Sequence, residues 1–202
     1  MKTLNEIITR VQADLRKKEI ARIANWEDFS QMNLRRYCEV LGTFAVQAVA
    51  ACGKNVVEIG TDYGLGAYAM GWALRGLPNI KVLTFDNRLE STMLALKRGA
   101  DLEMPNIKYI HGTSATLHKE GDRFSLVYID GDHSLDGCLA DLRNVSPLVD
   151  THGLILCHDY SWLEVDPRGN GVRQAIGLFL EERQEWAGMF LNGFAILGRK
   201  LK

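Results

Sequence analysis

The stretch Val56-Val57-Glu58-Ile59-Gly60-Thr61-Asp62-Tyr63-Gly64-Leu65-Gly66-Ala67 decides how this chain folds. Val56, Val57 and Ile59 make a short apolar run of the kind found in a strand buried on both faces of a parallel sheet. Gly60, Gly64 and Gly66 mark a loop that needs unusual dihedrals or lets a ligand approach the backbone, and helix-forming sequence follows. Strand, glycine loop and helix in that order point to a nucleotide-like ligand.

Outward from this stretch the pattern alternates. On its N-terminal side Leu34, Tyr37, Leu41, Phe44, Ala45 and Ala48 lie on one helical face, with Gly53 as the stop. Earlier still, Ile7, Ile8, Val11 and Leu15 suggest an amphipathic first helix, so residues 1–29 are expected to form a helical extension to a domain spanning 30–202. On the C-terminal side the pattern predicts a helix over Ala67–Leu74 and a strand over Ile80–Phe85 ending at Asp86. A helix around Ser91–Lys97 and strands at Ile107–Ile110 and Phe124–Ile129 come next. A helix over Ser134–Val145, a strand at Leu154–Cys157, a polar loop from Tyr160 to Asn170 and a helix near Val172–Glu182 follow. Met189–Leu191 and Phe194–Leu197 flank Asn192-Gly193, a preferred hairpin turn. Such alternation predicts an α/β fold, Rossmann-like and doubly wound, whose mostly parallel seven-stranded sheet ends in an antiparallel hairpin.

Composition narrows the partners. A chain of 202 residues, 47% hydrophobic and 24% charged, has the makings of one substantial core, and a net charge of −1 gives no overall attraction to nucleic acid or an anionic membrane. The expected partner is therefore a small molecule, and a homo-oligomer stays open. Cys38, Cys52, Cys138 and Cys157 lack the spacing of a zinc site or a disulfide scaffold and read as buried thiols. With no signal-like N-terminus and no membrane-length apolar run, the expected location is cytoplasmic.

Polar residues recur where the strands end, the edge at which open parallel sheets bind ligands. Gly60 follows the first strand, Asp86 the second, His111-Gly112-Thr113-Ser114 the third, Asp130 the fourth and His158-Asp159 the fifth. Glu58 lies inside a buried strand, where an acid needs hydrogen-bond donors. Asp86 follows Gly66 by about 20 residues, near the spacing at which a carboxylate meets ribose hydroxyls. Asp62 replaces the second glycine of the dinucleotide fingerprint, which disfavours a diphosphate and suits a nucleoside such as S-adenosylmethionine.

With Val56–Ala67 and Asp86, the runs Tyr128-Ile129-Asp130-Gly131-Asp132-His133 and Gly153-Leu154-Ile155-Leu156-Cys157-His158-Asp159-Tyr160 resemble the class I S-adenosylmethionine-dependent methyltransferases. Within them the chain is similar to the small-molecule O-methyltransferase branch, which includes macrocin-type sugar methyltransferases and is related to cephalosporin-hydroxylase proteins. The resemblance implies that Glu58, Gly60, Thr61, Gly64 and Gly66 line the cofactor, that Asp86 holds its ribose, and that Thr113 or Ser114 borders the adenine. It implies a divalent metal, Mg2+ first, at Asp130 and Asp159, with Asp130 also bordering the cofactor and His133 as the base that deprotonates a hydroxyl. His158 stands where several sugar methyltransferases of this branch carry Glu; as a third ligand it shifts the choice toward Mn2+ or another transition ion. Two alternatives stay open: a hydroxylase-like or non-catalytic cofactor-binding protein of the same fold, and a nicotinamide-dependent dehydrogenase in which Arg88 meets a 2′-phosphate.

Overall fold

The computed structural model describes residues 31–120, 123–160, 171–191 and 193–200, together with Thr3, Glu6 and Thr9. The expected N-terminal extension, the loop with Trp162, and Asn192 of the hairpin turn lie essentially outside the described residues.

The first described helix, α1 (Gln31–Cys52), stops where the sequence says it should. Gly53 takes a φ of 65° and its N–H donates to the Val49 carbonyl at 2.7 Å, closing the last turn in a conformation that a side chain would strain. Thereafter come β1 (Val56–Ile59), α2 (Leu65–Ala73), β2 (Val82–Asp86), α3 (Leu89–Asp101), β3 (Ile107–His111) and β4 (Phe124–Ile129). The chain ends with α4 (Leu135–Val145), β5 (Val149–Cys157), α5 (Gly171–Glu182), β6 (Trp186–Leu191) and β7 (Phe194–Arg199). A 3-10 helix over Ser114–Lys119, which the sequence pattern did not predict, links β3 to β4.

These strands form one seven-stranded sheet in the order β3-β2-β1-β4-β5-β7-β6. β1 pairs in parallel with both β2 and β4, through Val56↔Val82 and Val56↔Leu126, so the order reverses beside the glycine loop. A crevice at such a reversal is where open α/β sheets take ligands. β7 inserts antiparallel between β5 and β6, through Leu156↔Ile196 and Met189↔Ile196.

Alternate strand residues supply two cores, one on each face. Val56, Leu126 and Tyr128 pack with Leu41, Ala45 and Tyr68 under α1 and α2. Val57, Ile59, Val127 and Ile129 pack with Leu142, Ile176 and Phe179 under α4 and α5. This period of two explains why the strands read as unbroken apolar runs. Each fully buried large apolar side chain here contributes about 1.5–3 kcal/mol over its exposed state. Cys38, Cys138 and Cys157 are buried and Cys52 partly so, all as free thiols. No helix among the described residues is long and apolar enough to cross a membrane.

Candidate functional site

The glycine loop owes its shape to two close approaches. Gly60 has a φ of 98°, and a Cβ there would stand 2.2 Å from the Asp130 carbonyl oxygen, so the β1 and β4 loops touch through bare backbone. At Gly66 a Cβ would meet Glu58 Oε1 at 2.1 Å, which seats the first turn of α2 directly on the acid of β1. Glu58 is 1% exposed and accepts from the Thr84 hydroxyl, itself hydrogen-bonded to Thr61 Oγ1 at 2.6 Å. Burial pushes its carboxyl well above the usual range, against the pull of Thr84 and the Ala67 N–H. Glu58 therefore props the loop from below.

Asp86 closes the next strand at 5% exposure. Its Oδ2 accepts from the Asp62 N–H at 2.9 Å and its Oδ1 from the Arg88 N–H at 2.8 Å. The Arg88 guanidinium reaches Asp86 Oδ1 at 3.3 Å and Asp62 Oδ1 at 3.0 Å, so it bridges the two acids. Asp62 holds a left-handed φ of 39°, a conformation costly for a side-chain residue and frequent at binding loops. In the dehydrogenase alternative Arg88 meets a 2′-phosphate; in the structure it engages carboxylates.

Thr113 and Ser114 part company. Thr113 is exposed at the edge after β3. Ser114 is buried, donates to Asp141 Oδ1 at 2.6 Å and accepts from the Asn144 amide at 2.9 Å. Its hydroxyl thus ties the 3-10 helix to α4. His111 lies at the same edge with Nε2 3.0 Å from the Asn87 carbonyl, while His152 is exposed on β5.

At the ends of β4 and β5 four titratable groups converge. Asp130, His133 and Asp159 each bring one potential ligand atom within 4.8 Å of the others. His133 Nε2 stands 3.3 Å from Asp130 Oδ1, and its Nδ1 3.4 Å from Asp159 Oδ2. His158 Nδ1 stands 2.9 Å from Asp159 Oδ1 and 3.5 Å from Asp130 Oδ1. Asp159, like Asp62, is left-handed, with φ 57°. Two carboxylates and an imidazole at this spacing suit a divalent cation.

The charges in the cluster are mutually dependent. Burial would discourage an imidazolium at His158, yet Asp130 and Asp159 outweigh it and raise the group from 6.5 to about 10. Burial would likewise raise Asp130, but the charge of His158 and hydrogen bonds from His133, His158 and Tyr128 bring it below the ordinary carboxylate range. The hydrogen bond to Asp130 raises His133, aided by Asp159 and opposed by burial. An imidazolium here plays the electrostatic part that a bound cation would play.

Around the cluster stand Tyr37 and Phe194, which the sequence marked only as core, and Tyr128 and Tyr160, which open and close the runs that carry the resemblance. Tyr37 of α1 stacks on Phe194 of β7 at 5.9 Å between centroids and meets the edge of His158 at 5.3 Å. Tyr128 donates to Asp130 Oδ2 at 2.8 Å. Tyr160 stacks on Phe190 at 4.0 Å, and its N–H donates to the Gly193 carbonyl at 2.9 Å. Only the order of strand ends foreshadowed this grouping; nothing local in the sequence separates these rings from ordinary core.

A doubly wound sheet, a glycine cradle at its switch point and an acid-rich site beside it define a cofactor-binding α/β protein. Residues 57–160 match the family described as methyltransferase domain, and the chain belongs to that family. It is 28% identical over 124 residues to O-methyltransferase 12 of Dictyostelium discoideum, covering 61% of this chain. The match spans only 31% of that longer relative. In architecture it is similar to the O-methyltransferase from Bacillus cereus in complex with S-adenosylhomocysteine, with a TM-score of 0.71 at 16% identity over 99% of this chain and 92% of the other. It also resembles the tomaymycin-synthesis O-methyltransferase of Streptomyces achromogenes bound to S-adenosylmethionine, with a TM-score of 0.70 at 13% identity over 98% and 90%.

Proposed function

We propose that the protein is an S-adenosylmethionine-dependent O-methyltransferase that methylates a hydroxyl of a small molecule with the help of a divalent metal. The observation that carries this reading is the contact between the Gly60 turn and Asp130. It joins a nucleoside cradle to an acid and histidine cluster across a single backbone junction.

In this reading Gly60, Thr61, Gly64 and Gly66 let the cofactor lie against the backbone, with Glu58 beneath them. Asp86, oriented by the Asp62 and Arg88 N–H groups, faces the ribose hydroxyls, and Thr113 is the adenine neighbour. Ser114 acts there through the backbone that its side chain anchors. When bound, S-adenosylmethionine supplies a methyl group on a sulfonium, a good electrophile. A divalent metal held by Asp130 and Asp159, with His158 as nitrogen donor, would supply positive charge that favours the ionised form of the acceptor hydroxyl.

His133 is the more exposed of the two histidines and takes the proton from the hydroxyl. Its neutral form does this, so its carboxylate neighbours make it a stronger base while demanding a higher pH to free it. In the metal-free protein His158, held on both carboxylates, keeps their charge compensated. Tyr37 and Phe194 wall the acceptor side on the face covered by α1, while Tyr160 and Phe190 stack on the opposite face of the sheet. Mg2+ is the first choice of ion, and four free thiols accord with work in the cytoplasm.

Calorimetry with S-adenosylhomocysteine tests the cofactor half: micromolar binding is expected, and no binding at high micromolar concentration would refute it. For the metal half, transfer to a panel of catechols and polyols should stop on exhaustive chelation and return with Mg2+ or Mn2+. Transfer that survives chelation would remove the metal from the mechanism.

A further inference from the structure

A half-buried phenol, Tyr37, and a buried one, Tyr128, lead from α1 to the carboxylate at the centre of the site. Tyr128 Oη donates to Asp130 Oδ2 at 2.8 Å, and the Tyr37 and Tyr128 hydroxyls lie 2.7 Å apart. A phenol has one proton. Since Tyr128 gives its proton to the carboxylate, the shared bond with Tyr37 must run the other way, from the Tyr37 hydroxyl to the Tyr128 oxygen. Burial raises both phenols well above their ordinary range, so both keep the protons that the chain requires.

We propose that Tyr37 and Tyr128 are positioning residues that fix the rotation of the Asp130 carboxylate, so that the placement of α1 sets how this acid is presented to the site. Tyr128 occupies Oδ2, and the other oxygen, Oδ1, is the one turned toward His133 Nε2 and His158 Nδ1. The acid is thereby offered to an ion through one oxygen rather than two. Tyr37 polarises Tyr128 and strengthens its donation, as hydrogen bonds in series do in a poorly solvated site. Tyr37 is itself held by its stack on Phe194 and its edge contact with His158. A shift of α1 would therefore reach Asp130 through two hydrogen bonds.

The functional part of this inference rests on the proposed metal site, and the test separates the two. Mn2+ affinity is measured by electron paramagnetic resonance for the wild type, Tyr128→Phe, Tyr37→Phe and the double variant, with S-adenosylhomocysteine affinity and urea midpoints alongside. Tyr128→Phe is expected to weaken Mn2+ about tenfold, in the range for loss of a group that orients a ligand. Tyr37→Phe should weaken it by a factor of about three. Because Tyr37 acts through Tyr128, the double variant should match Tyr128→Phe alone. Multiplied effects, or unchanged Mn2+ affinity in Tyr128→Phe, would overturn the series arrangement. If the wild type binds no Mn2+, the metal reading fails, and a metal-free crystal structure of Tyr128→Phe decides the positioning by itself. A rotated Asp130 carboxylate supports it and an unmoved one refutes it.

Discussion

Replacing His158 with Asn keeps a polar amide near Asp130 and Asp159 but removes the titrating charge. In the metal-free protein the imidazolium is stabilised from 6.5 to about 10 by the two carboxylates. A group whose folded pKa is raised contributes stability that is fully present below its unfolded value and lost as pH climbs through the folded one. The window is therefore pH 6.5 to about 10. At about 1.4 kcal/mol per pH unit the ceiling is about 5 kcal/mol. His158 retains 29% side-chain exposure, and screening by solvent reduces the expected contribution to about 2–3 kcal/mol. Asp130 shares the same interaction and is not counted again. Urea unfolding in chelator at pH 6.5, 8 and 10 is the assay. The wild type should be more stable than His158→Asn by about 2–3 kcal/mol at the lowest pH, and the gap should close toward the highest. A gap that stays constant across the window would refute a charged His158.

Other expectations concern the cofactor side. Gly66→Ala forces a methyl against Glu58 Oε1 and should lower stability by about 1–3 kcal/mol in urea, with loss of S-adenosylhomocysteine binding; full affinity in this variant would contradict the tight seating of α2. Asp86→Ala should weaken S-adenosylhomocysteine about 10- to 100-fold by calorimetry, the worth of a charged hydrogen bond to ribose, and an unchanged affinity would remove Asp86 from the site. Glu58→Gln should cost less than about 1 kcal/mol at pH 7, because burial already favours the neutral carboxyl and the amide has its shape; a loss above about 3 kcal/mol would mean that the acid is ionised.

The strands around the site were legible because apolar runs and the polar residues after them are local signals. β4 begins and ends where the pattern predicts, at Phe124 and Ile129. β5 instead starts at Val149 rather than Leu154. Asp150, Thr151 and His152 break the apolar run, and pairing with β4 past a register shift carries the strand through them. α3 runs longer than Ser91–Lys97 because its ends hold polar and charged residues that periodicity ignores. Asp130, His158 and Asp159 were visible as strand-end residues, and His133 only through the resemblance. The role of Tyr37 was not, since a helix-face tyrosine reads as core until β4 places Tyr128 against it. The hydroxyl of Ser114 was equally unreadable, because its partner Asp141 arrives only when α4 docks.

The stack of Tyr37 on Phe194 brings together residues from opposite halves of the chain. β7, the last of these seven strands in chain order, is also an interior strand, lodged between β5 and β6. Synthesis therefore produces the glycine loop before Phe194. A nascent or C-terminally shortened chain can close the β2-β1-β4 portion of the sheet around the glycine loop, but its β5 edge stays unpaired and its site stands open on one side. The exposed β5 edge makes such shortened chains targets for aggregation and proteolysis.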